Sequence, residues 1–295
     1  MNVEERAELA RHTTLGTGGP ASAFARPQSA AEVEELLRWS NERGLAVATV
    51  GLGSNLLVAD EGVEALVLKL GGDVAAAVVV DGERIRAGGG AANAVVLHRA
   101  RAAGLGGFEF ACAIPGTIGG GVWMNGGAYG GDFEQVLERV LVASAQGTGW
   151  LTPAELGLSY RHSNLQHGQV VLEAELRLHP RDPDAIKAQV RRLNAERKAA
   201  QPTNRRTFGS VFKNPEEHEL TAGRMLEACG LKGHRIGGAQ ISPKHANFIE
   251  NAGGARTADA LALIAEARRR AHEQYGVELH HEVEFLGDLH LPPLR

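Results

Sequence analysis

The chain has 295 residues, 43% hydrophobic and 22% charged, which is typical of a globular protein large enough for two domains. A formal charge of -4 provides no basic footprint for nucleic acid or an anionic membrane, and no apolar run is long enough to span a bilayer. The cysteines, Cys112 and Cys229, suit a reducing cytosol, and the first residues lack the apolar core of a secretory signal. We therefore expect a cytoplasmic protein.

The first hundred residues predict alternating helices and strands. Residues 32–43 are predicted to form a helix, because Ser29 and Glu32 suit its start and Gly44 its end. Strands and then a second helix are predicted, in chain order, at LAVATV (45–50), ALVLKL (65–70), AAAVVV (75–80) and residues 91–103. This alternation indicates α+β or α/β layers.

Residues 104–131 are unusually rich in glycine, with 11 glycines in 28 positions. The glycines are mixed with Trp123, Met124 and Tyr129, whereas a flexible linker would be polar and lack large apolar side chains. Glycine at this density indicates backbone in unusual conformations, or backbone that closely approaches another group.

The second half predicts a hairpin, a domain boundary and several helices. The boundary is expected at HPRDP (179–183), where two prolines follow a long strand pattern. In chain order the elements are a hairpin at GTGW (147–150), a strand at VVLEAELRL (170–178), a helix at 184–200, a helix at LTAGRMLEACG (220–230), a long helix capped by Thr257 that runs to Tyr275, and an alternating strand at VELHHEVEF (277–285).

Two glycine-rich loops are candidates for binding a nucleotide. GLGSN (51–55) is not the Rossmann fingerprint, and the second cluster lacks the Gly-Lys-Ser/Thr of a phosphate-binding loop. Backbone N–H groups with the small hydroxyls of Ser54 and Thr117 suit a pyrophosphate and the edge of a flat ring. Two purely structural turns remain an equally good interpretation of either loop.

Single polar residues give weaker indications. The face of the last strand that carries Glu278, His280, Glu282 and Glu284 fits a solvated edge, and Arg161 alone fits a surface residue. Ser210, in TFGSVFKNP (207–215), lacks the Gly-x-Ser-x-Gly frame of a hydrolase nucleophile. The lysines at 198, 213 and 232 stand out among only six and suit either an anion site or solvent.

Six motifs together resemble one known family. They are GLGSNLLVAD (51–60), IPGTIGGGVWMNGGAYG (114–130), SYRHS (159–163), GSVFKNP (209–215), HANFIEN (245–251) and HEVEFLG (281–287). Their order and spacing over nearly the whole chain resemble the compact form of the UDP-N-acetylenolpyruvoylglucosamine reductase (MurB) family. The departures are His281, where the family usually has proline, and Gly127 and Cys112 within the glycine cluster.

The resemblance implies an α+β fold: a vanillyl-alcohol-oxidase-type FAD-binding domain followed by a smaller α+β substrate-binding domain. The first domain is expected at 1–182, with an N-terminal subdomain at 1–60 and a main part at 61–182, and the second at 183–295. FAD is expected to bind non-covalently, and no metal site is implied. The implied cofactor-binding residues are Gly51, Gly53, Ser54, Asn55, Ile114, Pro115, Gly116, Thr117, Gly119, Gly120, Asn125, Gly127, Ala128 and Tyr129.

The resemblance also implies a reaction, in which NADPH reduces FAD and the flavin then reduces UDP-N-acetylglucosamine enolpyruvate to UDP-N-acetylmuramate. This reaction belongs to peptidoglycan precursor synthesis, and so to cell-wall formation, cell shape and division. The implied catalytic residues are Arg161 on the carboxylate, Ser210 as proton donor and Glu282 as donor to the developing anion. The implied substrate contacts are Tyr160, Lys198, Lys213, Asn214 and Arg235.

Two alternatives stay open at this point. One is another flavoenzyme of the same fold, for example an oxidase that uses molecular oxygen, although those chains tend to be longer and often bind flavin covalently. The other is a nucleotide-binding protein without catalytic activity. Flavin colour and NADPH consumption that depends on the enolpyruvyl sugar would distinguish them.

Overall fold

The computed structural model describes residues 2–294, which divide into two compact units. The first unit comprises residues 2–5, Ala23–Leu52 and Glu64–Arg197. The second comprises Arg6–Ser22, Gly53–Val63 and residues 198–294. The second unit thus combines the C-terminal third of the chain with two segments from its first quarter.

The helices are short except for three, α1, α6 and α8. In chain order they are α1 (Ala30–Glu42), α2 (Gly72–Ala76), α3 (Asn93–Ala102), α4 (Ile118–Trp123), α5 (Pro153–Leu156), α6 (Pro183–Ala200), α7 (Ala222–Ala228) and α8 (Thr257–Tyr275). Two 3₁₀ helices span Leu9–His12 and Glu109–Ala113. Within residues 2–294, no helix combines the length and apolar composition that crossing a membrane requires.

The strands form several small sheets. They are β1 (Val3–Glu8), β2 (Pro20–Ala25), β3 (Ala46–Thr49), β4 (Leu56–Val58), β5 (Val63–Leu68), β6 (Val78–Asp81), β7 (Arg84–Gly88), β8 (Leu105–Gly106), β9 (Gly127–Ala128), β10 (Gly131–Asp132), β11 (Leu137–Ser144), β12 (Gly147–Leu151), β13 (Val170–Arg177), β14 (His179–Pro180), β15 (Thr207–Ser210), β16 (Arg235–Ile236), β17 (Ala239–Ile241), β18 (Phe248–Asn251) and β19 (Glu284–Leu286).

The first unit is built on a five-stranded antiparallel sheet in the order β12-β11-β13-β7-β6. Its core includes Phe108, Phe110 and Phe133, whose rings meet edge to face with centroids 5.3 to 6.0 Å apart. Aromatic rings prefer this geometry, because the positive edge of one ring faces the negative face of another. The rings lie beside the glycine cluster, whose small residues allow this close packing.

Helix α1 shows how local sequence determines an element of this unit. The Ser29 side chain accepts a hydrogen bond from the Glu32 N–H, which satisfies one of the unpaired donors at the helix start. Val33, Leu36 and Leu37 share one buried face at helical spacing. The predicted helix is therefore confirmed, as are α3, α6, α7 and the β11–β12 hairpin, each within a few residues of its predicted limits.

The second unit contains a four-stranded antiparallel sheet in the order β15-β18-β17-β16. Helices α7 and α8 pack together, and α8 also packs on β16 and β17. A separate pair joins β19 in parallel to β4 from the first quarter of the chain. This unit has its own apolar core, which includes Leu57, Phe208, Phe212 and Ile264.

The start of α8 differs from the prediction. Thr257 was expected to cap this helix, but it is the first helical residue, and its buried hydroxyl hydrogen-bonds the Val58 carbonyl at 2.6 Å. Asp60 occupies the capping role, because its carboxylate accepts the N–H groups of Thr257 and Ala258 at 2.9 and 3.0 Å. A carboxylate at a helix N-terminus also interacts favourably with the helix dipole.

Two predicted strands are shorter than expected. At AAAVVV, helix α2 ends at Ala76 and the strand begins only at Val78, in agreement with the high helix propensity of alanine and the β-branching of valine. At VELHHEVEF only β19 is a strand, and an isolated bridge from Phe212 to His281 precedes it. The alternating pattern still separates buried Leu279 and Val283 from their polar neighbours, but His281 is exposed.

Candidate functional site

The glycine cluster in the first unit surrounds the start of α4. The Thr117 hydroxyl accepts the Gly120 N–H, as expected of a helix cap. The Gly119 N–H donates to the Gly89 carbonyl at 2.7 Å, so a second glycine-rich turn, at residues 88–90, is hydrogen-bonded to the cluster. Backbone rather than side chains therefore forms much of this surface.

The glycines in this cluster serve different purposes. A Cβ on Gly121 would lie 2.2 Å from the Phe133 ring, and one on Gly119 would lie 2.9 Å from the Gly89 carbonyl oxygen. Packing within the protein therefore requires glycine at both positions. A Cβ on Gly120 would meet no atom closer than 3.6 Å, so packing within the first unit does not explain that glycine.

Both predicted cofactor loops meet within the first unit at Gly51 and Thr117. A Cβ on Gly51 would lie 2.5 Å from the Thr117 Oγ1, a distance that real side chains do not adopt. The Lys69 Nζ donates to the Gly51 carbonyl at 2.9 Å and so anchors this loop. Two loops 60 residues apart in the chain thus share one surface.

Sequence reasoning missed Lys69. Burial lowers the pKa of its ammonium, and the nearby charge of Arg26 lowers it further. The available signal was a lysine inside the apolar run ALVLKL, since a charged residue at such a position usually has a specific partner.

Asn125 and Arg161 join the glycine cluster to the SYRHS motif. The Asn125 side chain is buried, donates to the Ser159 carbonyl at 3.0 Å and accepts the Glu134 N–H at 2.9 Å. The Arg161 Nη2 donates to the Gly127 carbonyl at 2.6 Å. Asn125 therefore shapes the cluster from within, and Arg161 holds its guanidinium against the cluster's backbone.

Arg161 has a backbone conformation that is uncommon for arginine, with φ of 54°. Its guanidinium lies over the Tyr160 ring, 5.0 Å from the ring centroid, and Tyr160 is 41% exposed. Strained backbone of this kind is concentrated at functional sites, where the surrounding contacts maintain it. Tyr129 also has a positive φ, of 53°, and partial burial raises the pKa of its phenol, as does the nearby Glu196.

The remaining predicted cofactor residues of the first unit lie in segments held by backbone hydrogen bonds. Both the backbone and the side-chain amide of Asn93 hold the segment before Thr117, donating to the Gly116 carbonyl at 3.0 Å and to the Ile114 carbonyl at 3.1 Å. Pro115 lies between these two anchors, and Ala128 pairs with Gly131 in the β9–β10 hairpin.

Gly53, Ser54 and Asn55 belong to the second unit. A Cβ on Gly53 would lie 2.0 Å from the His12 carbonyl oxygen, and φ there is +71°, so only glycine fits. The N–H of Thr14 donates to the Gly53 carbonyl at 3.0 Å. The N-terminal segment thus fixes this part of the loop.

Ser210 and Glu282 lie on neighbouring segments of the second unit, which are joined by a backbone hydrogen bond. Ser210 ends β15 after a bulge at Gly209, where φ is +86°, and such bulges redirect the next side chain. The Glu282 N–H donates to the Val211 carbonyl at 2.7 Å. The Asn55 side chain donates to the Glu282 carbonyl at 3.1 Å, so hydrogen bonds hold both sides of this residue.

The predicted substrate contacts in this unit lie on different elements. The Lys213 N–H donates at 2.9 Å to the carbonyl of His280, two residues before Glu282. The Asn214 side chain accepts the Ala222 N–H at 3.1 Å and helps to begin α7. Two further residues, Lys198 on α6 and Arg235 on β16, lie elsewhere in the unit and are exposed.

The loops fit an anionic dinucleotide. Residues 51–55 and 114–129 contain no aspartate or glutamate, so no carboxylate would repel a pyrophosphate. The close approach of Gly51 and Thr117 leaves backbone N–H groups and small hydroxyls on the surface, and these are groups that donate hydrogen bonds to oxyanions. Among residues 2–294, no cluster of histidine, cysteine, aspartate or glutamate has an arrangement suited to a metal ion.

Two family models match the chain. An FAD-binding domain model matches residues 21–150, and the C-terminal domain model of UDP-N-acetylenolpyruvoylglucosamine reductase matches residues 201–286. The first match includes both glycine loops, and the second includes Ser210 and Glu282. FAD is thus the cofactor class of the first matched region.

Curated relatives and a solved structure agree with these models. The reductase of Bacillus licheniformis is 42% identical over 97% of this chain and 94% of its own length. The second reductase of Symbiobacterium thermophilum is 45% identical over 96% of this chain and 92% of its own length. The crystal structure of the Thermus caldophilus enzyme superposes with a TM-score of 0.83 at 37% identity, covering 97% of this chain and 99% of that one.

These comparisons confirm three predictions. The fold class is α+β with an FAD-binding domain of the vanillyl-alcohol-oxidase type, and the chain is an FAD-dependent oxidoreductase. Identity above 40% over nearly the full length of both chains also confirms the resemblance drawn from the six motifs. The chain belongs to the UDP-N-acetylenolpyruvoylglucosamine reductase family.

Proposed function

We propose that this protein reduces UDP-N-acetylglucosamine enolpyruvate to UDP-N-acetylmuramate with NADPH, in the cytoplasmic synthesis of peptidoglycan precursors that supports cell shape and division. The names of its relatives and the matched C-terminal domain support the substrate. The observation that carries the proposal is the hydrogen bond between Glu282 and Val211, because it brings two of the expected catalytic side chains onto adjacent segments.

The cofactor is expected to bind non-covalently along the two loops. The 14 residues predicted from the sequence, in segments 51–55 and 114–129, would contact FAD, chiefly through backbone N–H groups and through the hydroxyls of Ser54 and Thr117. FAD held there would supply the chemistry of hydride transfer, from NADPH to the terminal vinyl carbon of the substrate. Lys69, which is not among these residues, would preserve the shape of the loops through its hydrogen bond to the Gly51 carbonyl.

Arg161 is proposed to hold the substrate carboxylate. A guanidinium presents parallel N–H groups that match the two oxygens of a carboxylate, and their attraction increases as negative charge develops there. The hydrogen bond to Gly127 and the contact with Tyr160 would preorganise this group before substrate binds. Preorganised charge stabilisation is usually the largest contribution to catalysis.

Ser210 and Glu282 are proposed to complete the reaction. Hydride addition leaves negative charge on the neighbouring carbon and its carboxylate. The Ser210 hydroxyl would transfer its proton to that carbon and recover one from solvent, which balances the reduction. The Glu282 carboxyl, when protonated, would donate a hydrogen bond to the same anion, whereas an ionised carboxylate would repel it.

The remaining assignments follow from the resemblance. Tyr160, Lys198, Lys213, Asn214 and Arg235 are proposed to contact the carboxylate or the diphosphate of the substrate. Residues 1–182 and 183–295 are proposed as the FAD-binding and substrate-binding domains. The partners would be NADPH and the UDP-sugar, without nucleic acid or membrane.

Anaerobic half-reactions test this proposal. Reduction of the purified flavoprotein by NADPH should bleach the flavin absorbance, and mixing with the enolpyruvyl substrate should restore it. A matched mixture with UDP-N-acetylglucosamine, which lacks the vinyl group, should leave the flavin reduced. Reoxidation only by molecular oxygen would instead indicate another flavoenzyme of this fold, and a colourless protein that cannot take up FAD would indicate a protein without this activity.

A further inference from the structure

The buried side chain of Asn247, which is outside the expected catalytic set, hydrogen-bonds the segment that follows Ser210. Asn247 lies just before β18 and is 4% exposed. Its Oδ1 accepts the Phe212 N–H at 2.9 Å, and its Nδ2 donates to the Phe212 carbonyl at 2.9 Å. The side-chain amide thus makes the same pair of hydrogen bonds that a neighbouring strand would make.

The main chain of Asn247 adds a third hydrogen bond, because its carbonyl accepts the Val211 N–H at 2.9 Å. The opposite side of this segment is bonded to residues 280–282: the Val211 carbonyl accepts the Glu282 N–H, and the Lys213 N–H donates to the His280 carbonyl. Consecutive backbone groups from the Val211 N–H to the Lys213 N–H are therefore all paired, and Asn247 supplies three of the partners.

We propose that Asn247 is a positioning residue that sets the placement of Ser210 and, through Val211, of Glu282. This inference rests on the proposed function, because it concerns the placement of the two proposed catalytic side chains. Regular pairing of β15 with β18 reaches only the Ser210–Phe248 pair, after the bulge at Gly209. Beyond that pair, Asn247 supplies the hydrogen bonds that a strand would otherwise make. Its geometry therefore determines the direction in which Ser210 leaves the sheet.

The chemistry of the amide makes it hard to replace. Phe212 is 2% exposed, so a lost partner leaves a buried N–H or C=O without a hydrogen bond. Burying such an unpaired group is unfavourable, and the segment would shift to recover a partner. A displacement of about 1 Å at a reacting group can reduce the rate about 100-fold.

Asn247→Asp is the sharpest variant. It preserves the shape and the acceptor for the Phe212 N–H, but it replaces the donor to the Phe212 carbonyl with a second acceptor. Reoxidation of the reduced enzyme by substrate should slow by roughly 10- to 100-fold. Reduction by NADPH should change by less than about twofold, because Asn247 acts on the segment of Ser210 and Glu282, whose proposed roles belong to the reoxidation step.

Asn251→Asp is the matched control. Asn251 ends β18, donates to the Leu15 carbonyl at 3.0 Å and accepts the Gly253 N–H at 3.0 Å, so it also joins backbone groups through both ends of its amide. Its contacts do not include the segment 210–213. It should lose stability comparably to Asn247→Asp while reoxidising at a rate near that of the parent protein.

A double variant separates positioning from general destabilisation. If Asn247 acts through Ser210, Ser210→Ala with Asn247→Asp should reoxidise no more than about threefold slower than Ser210→Ala alone. Fully multiplied effects would overturn the proposal. A Ser210→Ala protein with normal reoxidation would refute the proposed proton donor instead, so the two failures are distinguishable.

Hydrogen exchange gives a readout that does not depend on turnover. In the FAD-loaded protein the peptide covering residues 207–215 should lose amide protection in Asn247→Asp and keep it in Asn251→Asp. Should Asn247→Asp fail to fold, Asn247→Ser, which is smaller and uncharged, serves for the same measurements. Unchanged protection together with unchanged reoxidation would overturn the inference.

Discussion

The Glu282 N–H donates to the Val211 carbonyl at 2.7 Å, and the Asn55 side chain donates to the Glu282 carbonyl at 3.1 Å. Three segments that lie far apart in the chain therefore meet at one residue. These hydrogen bonds restrain the main chain of Glu282, and the restrained main chain sets the direction of its side chain. This relationship makes the proposed roles of Ser210 and Glu282 testable as a pair.

Ser210→Ala removes the proposed proton donor without adding volume. Reoxidation by the enolpyruvyl substrate should slow by about 10²–10⁴-fold, the usual contribution of a positioned general acid. Reduction by NADPH should remain within about twofold, since no proton from Ser210 enters that step. Stopped-flow flavin absorbance measures both steps, with Ser144→Ala as control. Equal loss in both half-reactions would contradict the assignment.

Glu282→Gln retains the size of the side chain but removes its acidic proton. It should slow reoxidation by at least about tenfold while changing the substrate dissociation constant less, because the donated bond strengthens as charge develops. Glu278→Gln, in the same segment but paired with Arg268 at the surface, should behave as the parent protein. A Glu282→Gln variant that binds substrate poorly yet reoxidises normally at saturation argues for a binding role instead.

Arg161→Lys keeps the charge and loses the planar pair of donors. The Michaelis constant for substrate should rise and reoxidation should slow by roughly 10-fold or more, because an ammonium cannot hold both carboxylate oxygens in parallel. Arg191→Lys, on the exposed face of α6, is the control and should have no effect. Turnover of Arg161→Lys close to that of the parent would remove Arg161 from the site.

Gly51→Ala tests the surface shared by the two predicted cofactor loops. The new Cβ would lie 2.5 Å from the Thr117 Oγ1, so one loop must move. The purified variant should retain less FAD, and its FAD dissociation constant should rise by at least about tenfold, equivalent to about 1.4 kcal/mol. Gly149→Ala, where the added Cβ has no atom within 4 Å, is the control. Undiminished flavin content in Gly51→Ala would contradict this role.

His245 should make stability sensitive to mildly acidic pH. Burial lowers the pKa of its imidazole below the ordinary 6.5, and Lys232 lowers it further, while Glu227 acts in the opposite direction. The unfolded chain therefore binds the proton more tightly, and the stability that the neutral ring contributes declines as pH falls from about 6.5 through the folded-state pKa. This contribution is complete above about pH 7.5.

Thermal unfolding at about pH 7.5 and about pH 5.5 checks this effect. The fall in Tm between these values should be smaller in His245→Gln than in the parent protein. His290→Gln, at an exposed position, should retain the parental fall. An identical pH dependence in parent and His245→Gln would show that other groups control it.

Local sequence predicted the long helices well, for physical reasons. Ser29, Glu32 and Gly44 are capping residues whose preferences act over one turn, and the buried face of α1 repeats at helical spacing. The strand at AAAVVV was placed too early, because alanine can occupy either conformation and its neighbours decide. Asp60 could not be predicted as the cap of α8, since it lies almost 200 positions earlier in the chain.

The candidate site shows the same division. The motifs predicted the cofactor loops, Arg161, Ser210 and Glu282 by resemblance. Residue types alone left ordinary turns as an equally good interpretation of the loops, and favoured surface positions for Arg161 and Glu282. Lys69 and Asn247 were not singled out, because each acts through a single distant partner segment. A lysine in an apolar run and an asparagine between apolar residues were the only local signs.

The sequence by itself determined the family, the helix limits and the types of residue available for chemistry, because caps, periodicity and motifs depend on neighbours along the chain. Tertiary structure decided that Gly51 meets Thr117, that Asn247 grips Phe212, and that Glu282 pairs with Val211. Those contacts depend on which segments share a core and satisfy each other's buried hydrogen bonds, and that selection is made only when the whole unit folds.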